Sequence, residues 1–74
     1  DAQFNLGSMY GNGKGVPRDL VQAYAWFSLA GRTGWPLAVE AMKQASNALE
    51  PEQRKRAATV ARDLAATVKS PSAP

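Results

Sequence analysis

Residues 2–34 read AQFNLGSMYGNGKGVPRDLVQAYAWFSLAGRTG, and the centre of that stretch, Gly11-Asn12-Gly13-Lys14-Gly15, decides how the rest divides. Three glycines in five residues carry a large backbone entropy cost inside a helix and readily supply positive φ. They end a helix predicted over about Ala2 to Tyr10, in which Ala2, Leu6 and Met9 fall at i, i+4 and i+7 and are expected to form the inward stripe. Asp19 then offers an N-cap side chain, with Pro17 just outside it. The second helix is predicted over about Leu20 to Arg32, with Leu20, Ala23, Phe27 and Ala30 on one stripe and Trp26 beside it.

Downstream, Gly34 suits a left-handed C-terminal cap and Pro36 the first turn of a third helix that runs to about Ala48. Its inward stripe is expected to be Ala38, Ala41, Met42 and Ala45. Pro51 opens a fourth helix to about Val68, where Glu52 and Gln53 complement the positive end of the dipole. Ala57, Val60, Ala61, Leu64, Ala65 and Val68 keep helical spacing along it. Lys69-Ser70-Pro71-Ser72-Ala73-Pro74 has no periodicity and is expected to be a disordered tail. With abundant Ala, few β-branched residues and no strand pattern, the chain reads as all-α with four helices.

A shift of 36 residues lays Ala2 on Ala38, Leu6 on Met42 and Met9 on Ala45, while Tyr10 lands on Ser46 and the glycine loop finds no counterpart. That is a weak internal repeat by arithmetic alone. The residues of the first unit carry more. Ala2, Leu6-Gly7, Tyr10, Gly13, Gly15-Val16, Asp19, Ala23, Trp26, Leu29-Ala30 and Gly34 stand at spacings that resemble the Sel-one-like repeat, a relative of the tetratricopeptide repeat. The resemblance implies antiparallel helix pairs stacked as an α-solenoid, with residues 1–34 a complete unit and 35–68 a degenerate last unit closed by a capping helix. Gly31 departs from the pattern and should loosen the end of the second helix. Glu50 departs too, since Thr or Ser is the better N-cap. Gly7, Ala23 and Ala30 are expected to let the first two helices approach closely, with Tyr10 and Trp26 filling the wider parts.

Composition bounds the chemistry. At 74 residues the chain buries only about 60–65% of the surface its unfolded form exposes. With no Cys and no His it lacks a thiol nucleophile, an imidazole base and a soft metal site, so no cofactor and no metal is expected. No apolar run approaches the ~20 residues that span a bilayer. The loop at Gly11 to Gly15 fails as a phosphate cradle, because Ser8 and Gly15 stand where a P-loop needs Gly and a hydroxyl, and Val16 where the dinucleotide fingerprint needs its third Gly. The carboxylates Asp1, Asp19, Glu40, Glu50, Glu52 and Asp63 form no paired constellation in the sequence. Composition assigns no compartment. The helical reading of the first residues leads to the expectation of a C-terminal piece of a longer array.

The preferred function at this stage is a non-enzymatic scaffold that binds a protein or peptide. By resemblance to tetratricopeptide repeats, whose first helices face the groove, the partner-binding positions are Phe4, Ser8, Gly11, Leu37, Glu40 and Gln44. Phe4 stands out as a large apolar residue off the Ala2-Leu6-Met9 stripe. Phe4, Leu6, Met9 and Tyr10 together lead to the expectation of self-association through the first helix, or of dependence on an upstream repeat. The alternative is a module that binds nucleic acid or an anionic membrane surface through the basic run Arg54-Lys55-Arg56 and Arg62. The acids beside that run weigh against it, and no nucleic-acid partner is expected.

Overall fold

The internal helix boundaries lie beside Gly13, Asp19, Gly31, Pro36 and Pro51. A computed structural model describes residues 2–68, and the tail expected over 69–74 lies outside them. Four α-helices follow one another: α1 (Ala2–Asn12), α2 (Leu20–Ala30), α3 (Pro36–Ala48) and α4 (Pro51–Val68). No strand occurs among the described residues.

α1 runs through Gly11 to Asn12 before the loop takes over. A helix end leaves its last carbonyls without partners, and here the loop supplies them. Lys14 N–H donates to the Met9 carbonyl at 3.0 Å, Asp19 N–H to that of Tyr10 at 2.9 Å, and Arg18 Nε to that of Gly11 at 3.1 Å. Gly13 and Gly15 turn the chain with φ of 68° and 80°. Asp19 Oδ1 then accepts from the N–H groups of Val21 and Gln22 at 3.0 and 3.2 Å, which starts α2. α2 ends at Ala30, short of the expected Arg32, and the chain tightens into a 3₁₀ segment over Gly31–Thr33 in place of a loosened helix end. Gly34 closes it with φ 86° in the left-handed region.

α2 is the helix that each of the others packs against. Successive residues turn by about 100° around a helix axis. Ala23, Phe27 and Ala30 therefore share one side of α2, Ala25 and Leu29 the opposite side, and all five are buried. The first side meets α1 and α3: Ala23 and Phe27 cluster with Ala45 of α3, and Phe4, Tyr10, Ala41 and Met42 pack around them. Phe4 meets Phe27 near the end of α2 while Gly11 sits by Ala23 near its start, so α1 and α2 run antiparallel. α3 is antiparallel to α2 as well, with Ala38 and Val39 beside Gly31 and Ser46 and Asn47 beside Tyr24. α4 begins where α2 begins, Gln53 lying across from Val21. Ala57, fully covered, is the one buried residue of α4 among those whose side chains are described.

Two sequence expectations about α1 are corrected. Ala2 and Met9 are exposed and Leu6 is half-buried, so the apolar stripe faces away from α2. The inward face is Phe4, Gly7, Ser8 and Gly11, and Phe4 packs inside the chain, its ring 5.3 Å from Phe27 and 5.0 Å from Trp35. The cause is steric. Gly7 is the only buried residue of α1, and the Phe27 ring occupies the volume its missing side chain leaves. Closest approach at Gly7 fixes the phase of the helix, and residues three and four positions away come with it.

Candidate functional site

Six small residues create a space that three helices do not fill. α1 contributes Ser8 and Gly11, α2 contributes Ala23, and α3 contributes Ala41, Ala45 and Ala48. An open cleft of about 370 Å³ results, near the lower end of the ~300–1,000 Å³ typical of ligand pockets. α1 and α3 form its walls and make little direct contact with each other, while Ala23 and Phe27 of α2 form the floor. Leu20 adds apolar surface, and Asn12, Arg18 and Gln44 add polar groups.

The ends of the cleft differ. At one end Phe4 lies between Phe27 and Trp35, so rings from α1, α2 and the connection before α3 meet there. At the other end stands Arg18, held by its Nε to the carbonyl of Gly11. None of the lining residues is acidic. Asp19, next in sequence to Arg18, has its Oδ1 engaged at the start of α2.

Of the positions expected to face a partner, Phe4, Ser8, Gly11 and Gln44 come together in this cleft. Leu37 and Glu40 do not. They lie toward the N-terminal end of α3, on the side where Phe4 meets Trp35, and both are exposed, Leu37 at 61%. Phe4 is present as a packed residue with one side toward the cleft, so its removal would disturb the core as well as the surface. Sequence reasoning missed Arg18 and the alanine wall of α3. The signal for Arg18 was its place after the glycine loop, where a long cation reaches back to the end of the preceding helix. The alanines were read only as an inward stripe.

The basic run lies elsewhere. Arg54, Lys55 and Arg56 are exposed on the first turns of α4, and Arg54 Nε donates to the Ser46 carbonyl at 2.9 Å, completing the end of α3. Trp26 is half-buried, and its indole N–H is buried without a hydrogen-bond partner among the described residues. Among the described residues no three Asp, Glu, His or Cys side chains gather as metal ligands, and no helix is long and apolar enough to cross a membrane.

Residues 1–34 match the family model of the Sel1 repeat. That span covers α1, the glycine loop, α2 and the 3₁₀ turn. No curated protein and no solved structure matches the chain.

Proposed function

We propose that this chain, which carries a Sel1 repeat in its first helix pair, is a non-enzymatic scaffold that holds a peptide segment of a partner protein in the cleft between α1 and α3. Residues 35–68 act as the closing, degenerate unit, and α4 as its cap. The observation that carries this reading is the cleft itself, concave and mixed in polarity, with a floor from α2 and walls from α1 and α3. A lining of Ala, Gly, Ser, Asn, Gln, Leu, Phe and a single Arg offers contact surface and hydrogen bonds, with no acid–base pair to move a proton. The basic-helix alternative is weaker, because Arg54 is engaged at the end of α3 and the first turn of α4 also carries Glu52.

Selection of displayed random peptides on the immobilised chain tests the proposal when the winners are mapped by amide chemical shifts. Binding should perturb Ser8, Gly11 and Gln44 together, and Gln44→Trp, at an exposed position on the rim, should abolish it without loss of helix. Winners that perturb Arg56 and Arg62 on α4 and leave the cleft unchanged would transfer the function to that helix.

A further inference from the structure

We infer that the cleft takes a short extended peptide that carries an acidic side chain, with Arg18 reading the carboxylate; this rests on the scaffold reading and names the partner chemistry of the same site. The first support is charge. Arg18 is the only ionised residue in the lining, and no carboxylate shares the cleft with it. The second is geometry. A guanidinium has five N–H donors, and the bond from Nε to the Gly11 carbonyl uses one. Arg18 has no ion-pair partner among the described residues. The bond from Nε holds the exposed Arg18 side chain by the Gly11 carbonyl and leaves its four Nη–H donors for a paired contact with a carboxylate.

The rest of the lining fits an extended chain. Asn12, Gln44 and Ser8 carry donors and acceptors that can bond a peptide backbone, which the helices themselves cannot pair because their own N–H and C=O groups are used internally. Leu20 and the sides of Phe4 and Phe27 give an apolar neighbour of the carboxylate a place to rest. The volume suits a few side chains. A nucleic acid is disfavoured, since a phosphate backbone requires several cations in line and the cleft has one.

The test uses the full 74-residue chain and short fluorescein-labelled peptides that pair one Phe with one Glu at varied separations, each made also with Gln or Lys in place of Glu. Anisotropy gives affinity and amide shifts give location. The Glu peptides should bind in the cleft about tenfold more tightly than their Gln counterparts, as expected for one charge-assisted contact at an open site, with the Lys peptides weakest. Arg18→Gln should erase the difference between Glu and Gln, and Arg18→Lys should keep part of it. Because Arg18 also completes the end of α1, circular dichroism accompanies each variant; if Arg18→Gln unfolds, the ranking on the unaltered chain decides alone. Equal binding of Glu and Gln peptides with shifts in the cleft overturns the acidic specificity and leaves the scaffold standing. An absence of cleft shifts with every peptide overturns both. Tighter cleft binding by single-stranded oligothymidylate than by any Glu peptide overturns the inference in favour of a nucleic-acid ligand.

Discussion

Gly7 shows how one absent methyl group sets the geometry around it. A Cβ built there would stand 2.6 and 2.7 Å from Cδ1 and Cε1 of Phe27, distances that real Cβ atoms do not tolerate. The Phe27 ring is 8% exposed and has Phe4 beside it, so it has little room to withdraw. At Gly11 the nearest atom to a built Cβ is the Ala23 methyl at 3.6 Å, an ordinary contact. Alanine gains about 0.8–1 kcal/mol over glycine in a helix interior, less near an end, while overpacking costs about 1–3 kcal/mol. The two terms predict opposite signs for the same change. Gly7→Ala should destabilise the chain by up to about 2 kcal/mol, and Gly11→Ala should be neutral or stabilise it by a few tenths. Urea unfolding of the two variants decides, and Phe27→Leu in the Gly7→Ala background should recover part of the loss. Equal effects of the two alanines would mean that α1 and α2 do not meet at Gly7.

The starts of α2, α3 and α4 are identifiable. Asp19 satisfies two of the free N–H groups of α2, and loss of such a cap costs about 0.5–2 kcal/mol. Asp19→Ala should cost that much, while Asp19→Asn, which keeps an acceptor, should stay near neutral. α4 has only half of a reciprocal cap: Gln53 Oε1 accepts from Glu50 N–H at 3.0 Å, while Glu50 returns no side-chain bond to the helix. Glu50→Ser completes the arrangement and should raise stability by about 0.5–1 kcal/mol in thermal unfolding; an unchanged midpoint would show that this end of α4 does not limit the fold. These starts and stops were legible in the sequence because Pro, Gly and Asp act through their own backbone and side-chain chemistry. The face that α1 turns inward was not, because its inward residues include two glycines and a serine, which carry no hydrophobic signal. Gly7 held the missing information: read as the point of closest approach, it places Phe4 and Gly11 on its own side, Leu6 on the flank, and Ala2 and Met9 opposite. The cleft was legible in part. Ser8, Gly11 and Gln44 follow from the resemblance to groove-lining helices, whereas Arg18 enters by a loop tether that no periodicity marks.

At the scale of the molecule, α2 connects what the other helices do not connect among themselves. α1 and α3 cover one of its sides, and the other side, with Ala25 fully covered and Leu29 at 5%, lies toward α4. To expose the backbone of α2, all three neighbours must leave, so its amides should exchange only through global unfolding. α4 differs along its length. Ala57 is buried, but from Ala58 to Thr67 every residue is exposed or half-buried, so that end has little packing to hold it against local opening. Native-state hydrogen exchange should therefore rank the amides of Ala25 to Ala30 as the most protected and those of Arg62 to Thr67 as the least protected helical ones. The same ranking bears on how the cleft works. Its floor belongs to the most protected helix and its walls to the two helices that lean on it, so a ligand bound between α1 and α3 should slow exchange in both walls. α2 already exchanges through global unfolding, and its protection should rise only by as much as the ligand raises the stability of the whole chain. If α4 near Leu64 is as protected as α2 near Phe27, the chain opens as one unit, and α4 is an integral layer of the core in place of a cap laid on one side of it.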